Sequence, residues 1–298
     1  MIITNLIGGL GNQMFQYACG RALALDLGQL LACSVDQFEG YTPHQGLQLD
    51  RVFRVGLVQA DARQLVRLLG HWRARVPVRR VLTKLARPWL SGHRFVSEPP
   101  GGFAPDLRTR CADGAYLHGY WQSERYFESQ EAAIRDDFTW HEPLAGRNAA
   151  LAQAIQAAPC AVSVHVRRGD YVSQAKNIAI YAACSPDYYL AALNRLSALA
   201  LAAGLQVFAF SDDPPWVAEW LAPHCPNLTL VDHNRGSDSH LDMRLMSLCR
   251  HHVIANSSFS WWGAWLDARR DKRVIAPLRW YADGRDAGSL VPACWDRL

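Results

Sequence analysis

One stretch constrains the fold more than any other part of the chain: residues 161–171, with the sequence AVSVHVRRGDY. Apolar and polar side chains alternate along it, with valines at Val162, Val164 and Val166. A period of two is the pattern of a β-strand. The strand is expected to end at Arg167 and Arg168, and two guanidiniums at the end of a buried strand need an anionic partner, for which phosphate is well suited. A structural ion pair with Asp170 is the alternative.

Strands and helices alternate through the second half of the chain. Strand patterns cover residues 206–210, 228–232 and 252–256. Helices are predicted between them, one beginning at the cap Ser185-Pro186 and one running from Asp238 to about Cys249. This order predicts an α/β fold with a parallel sheet covered by helices.

The segment 256–266, NSSFSWWGAWL, follows the last of these strands and begins a helix. Ser257 and Ser258 therefore stand at the carboxyl end of a strand, the usual ligand edge of an α/β sheet. Their hydroxyls and the free N–H groups of a helix start can hold phosphate. The alternative is that the serines are only helix caps; the tryptophans are expected in the core.

The chain opens with a strand, a glycine loop and a helix. The loop Gly8-Gly9-Leu10-Gly11-Asn12-Gln13 is expected to precede a helix over residues 14–27, which Gly28 stops. Glycines allow a close backbone approach to a ligand, and the helix start is electropositive. The spacing is neither G-x-G-x-x-G nor a P-loop, so a plain turn is the alternative.

Two segments of the first half have two interpretations each. Residues 61–94 hold nine Lys or Arg and one acid, which indicates a solvated basic helical insertion or a surface for anionic membrane or an anionic glycolipid acceptor. Residues 116–127, YLHGYWQSERYF, are rich in aromatics that serve either core packing or sugar stacking.

Composition excludes several classes. The net charge of +4 is too small to argue for nucleic acid. No apolar run is long enough for a transmembrane helix, no signal peptide is recognisable, and no two of the eight cysteines have C-x-x-C spacing. We therefore expect a cytoplasmic protein with reduced cysteines and neither a zinc site nor a disulfide framework.

Four motifs together, GGLGNQMFQYA, HVRRGDY, the SDDP turn and ANSSFSWWGAWL, resemble the pattern of bacterial α-1,2-fucosyltransferases. The resemblance implies a GT-B fold, in which two Rossmann-like domains have the active site in the cleft between them. The boundary is predicted near residue 155, with an acceptor-side domain over 1–155 and a GDP-fucose-binding domain over 156–298. The donor implied is GDP-β-L-fucose, with no metal and no other cofactor.

The resemblance also implies a role for individual residues. Arg167 contacts the β-phosphate, Arg168 supports the donor pocket and Asp170 orients the arginines. His165 and Asp242 meet the guanine. Ser257 and Ser258 hold the phosphates, and Asn256 and Phe259 are among the donor-binding residues. On the glycine loop, Asn12 faces the fucose and the reacting centre, with Gly11 beside it.

The reaction implied is inverting transfer of L-fucose to the 2-hydroxyl of a terminal β-galactose. The acceptor is expected to be a glycan, lipid-linked on the cytoplasmic face during synthesis of a surface polysaccharide such as O-antigen. The sequence reveals no general base; Asp36, Glu39 and His44 are the candidates, and the reaction could also proceed without one. The alternatives are a fucosyltransferase of another linkage or with a protein acceptor, and a non-catalytic protein that binds sugar nucleotides or glycans.

Overall fold

A computed structural model describes residues 1–39, 45–85, 92–99, 102–198, 204–285 and 287–298. The chain divides into two compact units, Met1–Glu142 and Pro143–Leu298. The helix Gly146–Ala157 belongs to the second unit because it packs against the helix His240–Leu248. The sequence placed this helix before the boundary. The assignment of a domain to 1–155 and another to 156–298, with an active-site cleft, stays a prediction.

The first unit contains a four-stranded parallel sheet in the order β2-β1-β4-β3. Its strands are β1 (Ile2–Asn5), β2 (Leu31–Ser34), β3 (Phe95–Ser97) and β4 (Ala115–His118). Its helices are α1 (Leu10–Asp26), α2 (Leu49–Val52), α3 (Ala62–Arg73), α4 (Val76–Leu85), α5 (Leu107–Arg110) and α6 (Glu131–Asp137). The sequence did not predict β2, β3 and β4, which are only three or four residues long.

Helix α1 begins earlier than predicted. Extended Gly9 is its N-cap, so Gly11 and Asn12 lie in the first turn of the helix rather than in the preceding loop. The helix ends at Asp26, and Gly28 follows with φ of 61°, as expected for a glycine that stops a helix. The glycine loop is thereby shortened to the residues directly after β1.

The basic segment 61–94 is helical where the structure describes it. Asp61 caps α3 in a reciprocal capping box with Gln64. Leu65 and Leu69 pack against the sheet. Arg79 on α4 is 3% exposed and forms an ion pair with Asp36, so it is not part of a solvated basic face. Arg87 lies outside the described residues. A contact of this segment with anionic membrane stays a prediction.

The aromatic segment 116–127 belongs mainly to the core. Four of its rings are buried: Tyr116, Trp121, Tyr126 and Phe127. Tyr120 differs because it is 46% exposed. The core-packing interpretation therefore holds for these four rings, and a sugar-stacking role is left to Tyr120.

The second unit contains a six-stranded parallel sheet in the order β10-β9-β8-β5-β6-β7. Its strands are β5 (Ala161–Val166), β6 (Gln206–Ser211), β7 (Leu228–Val231), β8 (His251–Val253), β9 (Val274–Ala276) and β10 (Asp296–Arg297). Its helices are α7 (Gly146–Ala157), α8 (Gly169–Ser173), α9 (Ala175–Ile178), α10 (Pro186–Ser197), α11 (Pro214–Trp220), α12 (His240–Leu248) and α13 (Ser258–Leu266). The predicted parallel sheet is confirmed, and the predicted strands lie within two or three residues of the observed ones.

Strand β5 lies in the middle of this sheet and is buried along its whole length. Its three valines pack with α10 and α11 on one face. The chain proceeds from β5 to β6 and β7 on one side of the sheet, then returns to β8, β9 and β10 on the other. The loops after β5 and β8 therefore adjoin at the switch point of the sheet, where open α/β folds bind ligands.

In the described part of the chain, no helix combines the length and the apolar character needed to cross a bilayer.

Candidate active site

Two arginines stand at the carboxyl end of β5. Arg167 Nη1 lies 2.9 Å from Asp212 Oδ2, and the backbone N–H of Arg168 donates to Asp212 Oδ1 at 2.9 Å. Arg168 Nε lies 3.4 Å from Asp213 Oδ2. The register explains these pairs, because Val166 lies opposite Ser211 and the next residues of the two strands meet. Both guanidinium side chains stay about a quarter exposed, at 28% and 23%.

Glycine is required at position 169 by this arrangement. A Cβ at Gly169 would lie 2.9 Å from Asp212 Oδ2, closer than a real side chain allows. The side chain of Asp170 is outside what the structure describes, so its predicted role as orienter stays a prediction. The sequence interpretation placed Asp212 and Asp213 in a turn and did not predict that they pair with the arginines. Their position directly after β6, the neighbour of β5, was the available signal.

Aromatic rings support both arginines. The guanidinium of Arg168 lies 4.6 Å from the Trp216 ring centre, and that of Arg167 lies 5.5 Å from the Tyr171 ring centre. The Tyr171 hydroxyl donates to the Asn256 carbonyl at 3.1 Å. Tyr171 therefore connects the arginine loop after β5 to the serine loop after β8.

The serine loop leads directly into α13. Ser257 is the N-cap, and its hydroxyl accepts from the Phe259 N–H at 3.3 Å. Ser258 is the first helical residue and is half-buried. Asn256 is 1% exposed, and its amide donates to the carbonyls of Ala182 and Trp280. These contacts fit a role for Asn256 in holding the loop; a direct contact with the donor stays a prediction.

The three tryptophans of the motif, Trp261, Trp262 and Trp265, are buried core residues, as the sequence indicated. His165 is also buried, at 7% exposure, and its ring centre lies 5.8 Å from that of Phe259. Its Nδ1 has no hydrogen-bond partner among the described residues. Burial lowers the pKa of His165 to about 4, and nearby Arg167 acts in the same direction, so the imidazole is neutral at physiological pH.

Asp242 lies in the first turn of α12, the helix that follows β7 along the chain. Burial raises the pKa of this carboxyl to about 7, although Asn234 Nδ2 donates to Oδ1 at 2.7 Å and favours the charged form. The Asn234 amide is fixed in turn by Asn148, with two reciprocal hydrogen bonds of 2.9 Å. Sequence reasoning missed both asparagines, which no motif marks.

Asn12 and Gly11 lie in the first unit. The structure thus places these two predicted site residues in a different unit from the arginines and serines. Gln122 Nε2 donates to Asn12 Oδ1 at 2.8 Å. Gln13 fixes the glycine loop, because its amide donates to the Gly8 carbonyl at 2.9 Å.

The three candidate bases follow β2 in the sequence. Asp36 accepts from Ser34 at 2.8 Å and is paired with Arg79, so its carboxylate already has two partners. Glu39 is exposed, and His44 lies outside the described residues. Within the described ranges, no group of three or more His, Cys, Asp or Glu is arranged to hold a metal ion.

Two α/β units with parallel sheets are the architecture of the GT-B glycosyltransferases. NodZ, a fucosyltransferase from Bradyrhizobium, shares this fold with a TM-score of 0.55 at 17% identity, over 89% of this chain and 92% of that one. A second structure of NodZ, described as an alpha-1,6-fucosyltransferase soaked with GDP-fucose, gives a TM-score of 0.51 at 16% identity, over 89% of this chain and 91% of that one.

The family model for glycosyl transferase family 11 matches residues 100–293. An alpha-1,2-colitosyltransferase of Escherichia coli is 31% identical, over 100% of this chain and 99% of the relative. The O-antigen biosynthesis glycosyltransferase WbnK of Escherichia coli is 30% identical, over 98% of this chain and 99% of the relative. The chain belongs to glycosyl transferase family 11, and the resemblance to bacterial α-1,2-fucosyltransferases is confirmed.

Proposed function

We propose that this glycosyltransferase transfers L-fucose from GDP-β-L-fucose to the 2-hydroxyl of a terminal β-galactose, with inversion at the anomeric carbon. The observation that carries the proposal is that Arg167 and Arg168 and the serine-capped start of α13 follow the neighbouring strands β5 and β8, at the switch point of the second sheet. The carboxyl edge of the second sheet therefore offers cationic groups and helix N–H donors to a diphosphate.

The role of the arginines in binding a diphosphate follows from the charges of these side chains and of their aspartate partners. In the structure each guanidinium is paired with an aspartate, so the edge is nearly neutral without a ligand. Both guanidinium side chains are about a quarter exposed, and arginine presents five N–H donors in a rigid fork. A diphosphate bound there would share the arginines with Asp212 and Asp213. The N–H groups of the first turn of α13 would supply further donors.

We assign the binding of the guanine base to Asp242 and His165. An ionised carboxylate can accept from the N1–H and the 2-amino group of guanine, a pair of donors that adenine lacks. Asn234 is placed to keep this carboxylate oriented and partly charged. His165 is neutral, and its buried Nδ1 has no partner among the described residues.

The chemistry required of the protein is charge stabilisation. As the bond between the anomeric carbon and the β-phosphate oxygen breaks, positive charge grows on the sugar and negative charge grows on the departing GDP. Arg167, held by Asp212 and supported by the Tyr171 ring, would stabilise that negative charge without reorganising. The acceptor 2-hydroxyl attacks from the opposite face, which inverts the centre, and its proton passes to solvent.

A second donor is favoured by one comparison. The alpha-1,2-colitosyltransferase is 31% identical over the whole chain. Colitose is 3-deoxy-L-fucose, so a GDP-linked colitose would present the same diphosphate and guanine. The arginine and Asp242 contacts would therefore accept either donor, and the difference would rest on recognition of the sugar 3-hydroxyl.

The acceptor is proposed to be a β-galactose unit of a surface polysaccharide, as in O-antigen synthesis. Support comes from WbnK, a relative named for O-antigen biosynthesis. We further propose that transfer takes place at the cytoplasmic face of the membrane on a lipid-linked unit.

The test is a transfer assay with a purified chain, methyl β-D-galactopyranoside, and either GDP-fucose or GDP-colitose. We expect a product whose NMR spectrum shows an α linkage to O2 of galactose, with one donor favoured. A product linked through O3 or O4 would overturn the regiochemistry, and a β linkage would overturn inversion. GDP binding with no transfer to any galactoside or protein acceptor would favour the non-catalytic alternative.

A further inference from the structure

A chain of hydrogen bonds connects the start of helix α7 to the carboxyl of Asp242. Asn148 on α7 and Asn234 in the loop after β7 bond to each other through both ends of their amides, each bond 2.9 Å long. Asn234 Nδ2 also donates to Asp242 Oδ1 at 2.7 Å. A pair of amides thus stands behind the carboxyl that we assign to the guanine.

A histidine fixes the orientation of the first amide. His233 Nε2 lies 2.9 Å from Asn148 Oδ1, and an amide oxygen only accepts, so Nε2 carries a proton. Burial, with a contribution from Arg147, lowers the pKa of His233, so the ring is neutral. If the Asn148 amide turned over, its nitrogen would face the His233 N–H and the Asn234 amide nitrogen, and donors would meet donors. Asn148 is also buried, so water does not offset such a loss.

The first amide fixes the second in the same way. The Asn234 amide nitrogen has two N–H groups, and one bonds to Asn148 Oδ1 and the other to Asp242 Oδ1. If this amide turned over, its oxygen would face the oxygen atoms of both partners. Asn148 therefore determines that Asn234 presents a donor to the carboxyl. Since both N–H groups are used, Asn234 acts on a ligand only through Asp242.

The donor that Asn234 presents affects the ionisation of the carboxyl. Burial raises the pKa of Asp242 to about 7, and the bond from Asn234 opposes that rise because it favours the charged form. Helix α13, which packs against α12, carries no titratable side chain. The charged or titratable groups of the other elements around Asp242 are Arg147, Asp232, His233, Arg235, Asp238, His240 and Arg244. Arg147 and Asp232 form an exposed ion pair with each other at 3.5 Å.

The protonation state of a carboxyl decides which purine it suits. A carboxylate has acceptors only, and it matches the N1–H and the 2-amino group of guanine. A protonated carboxyl has one donor and one acceptor, and it matches N1 and the 6-amino group of adenine. A contact that keeps Asp242 charged therefore favours guanine and disfavours adenine, which makes it a source of specificity.

We infer that Asn148, acting through Asn234, sets the base selectivity of the donor site, because the two amides hold Asp242 in the form that accepts from guanine. Both asparagines are positioning residues, and neither belongs to a motif that the sequence marks. The inference rests on the proposed function, in which Asp242 binds the guanine of the donor. It goes further because it assigns the choice between nucleotides to a helix outside the predicted donor-binding residues.

The test measures the Kd of the full chain for GDP and for ADP by calorimetry between pH 6 and pH 8.5. Asn234→Leu keeps the size of the side chain and removes the donor, which should move the midpoint of the GDP-binding profile upward by about one pH unit. At pH 7 the Kd for GDP should rise about fivefold, and the preference for GDP over ADP should fall about tenfold. Asn148→Leu should shift the midpoint in the same direction by about half as much.

Recovery at high pH separates this role from a loss of structure. At pH 8.5 both variants should bind GDP within about twofold of the wild type, because the carboxyl is charged again. A damaged fold would lose affinity at every pH. Asn194→Leu, on an exposed position of α10, is the matched control and should behave as the wild type does.

Two results would overturn the inference. One is a midpoint and a GDP preference that stay at the wild-type values in both Asn148→Leu and Asn234→Leu. The other is a loss of GDP affinity in both variants that is equal at pH 6 and pH 8.5. A wild type that binds no GDP, or binds it without dependence on pH, would instead overturn the proposed role of Asp242 in the donor site.

Discussion

Arg167 Nη1 and Asp212 Oδ2 lie 2.9 Å apart across the ends of two neighbouring parallel strands. The other oxygen of the same carboxylate accepts from the Arg168 N–H at 2.9 Å. One side chain from β6 therefore fixes both the guanidinium and the backbone that follows β5. An arginine held in this way is oriented before any ligand arrives, which is what electrostatic catalysis requires.

The first prediction concerns Arg167. Replacement by Ala should lower kcat by roughly 10²–10³, the scale for the loss of one donor to a developing oxyanion. Arg167→Lys should recover only part of the rate because a single ammonium cannot reproduce the planar fork. Arg285→Ala removes an exposed arginine that is also paired with an aspartate, Asp283, and serves as the control. Near wild-type turnover of Arg167→Ala would remove this residue from the mechanism.

The second prediction concerns Asp212 as a positioning residue. Asp212→Asn removes the charge that holds Arg167 and should lower kcat/KM for GDP-fucose roughly tenfold or more, mainly through kcat, because the freed guanidinium is no longer preorganised. The measurement is steady-state kinetics on both substrates. Asp283→Asn, which changes an exposed ion pair, should have no effect. An equal loss in both variants would argue against a specific role.

The third prediction is a pH dependence that Asp242 imposes. Its pKa of about 7 means that the carboxyl is largely protonated at pH 6 and charged at pH 8. Only the charged form can accept two hydrogen bonds from guanine. The Kd for GDP-fucose should therefore rise about tenfold for each pH unit below 7, as for linkage to a single proton. A Kd that stays constant between pH 6 and pH 8 would contradict this assignment.

Asp242→Asn provides the control for this profile. The amide cannot ionise, so binding should be weak and independent of pH. Stability should change in the opposite sense. The folded pKa lies above the unfolded value of 3.8, so the wild type loses stability as pH rises from about 4 to 7. Asp242→Asn is therefore expected to unfold at a higher temperature than the wild type at pH 8.

The fourth prediction concerns metal. Arg167, Arg168 and the start of α13 can supply the counter-charge that a divalent cation gives in other transferases. Activity should persist in excess EDTA, measured as GDP release with a galactoside present. A loss of activity that Mg²⁺ or Mn²⁺ restores would contradict the arginine mechanism.

Much of the second unit could be predicted from the sequence. Strand β5 carries regular alternation, and its boundaries follow from the valines and from the arginines that end it. The serine cap and Pro186 placed the start of α10 correctly. The short strands of the first unit were missed because three or four residues give too little periodicity to recognise.

The parts of the candidate site that were missed depend on contacts distant in sequence. Arg167 and Asp212 are 45 positions apart and meet only because β5 and β6 are neighbours. Asn148 and Asn234 are 86 positions apart and belong to no motif. The sequence set Asn256 among the donor-binding residues; its amide nitrogen donates to two backbone carbonyls, and a contact with the donor stays a prediction. Motifs mark such a residue without telling whether it contacts the ligand or holds the loop.

The central claim is that the diphosphate of a GDP-sugar binds at the carboxyl edge of the second sheet. A crystal structure with GDP bound tests it most directly. The account predicts the β-phosphate within hydrogen-bond distance of the Arg167 guanidinium and of the N–H groups at the start of α13, with the guanine against the Asp242 carboxylate. GDP bound elsewhere, with no phosphate oxygen in contact with Arg167, would contradict it.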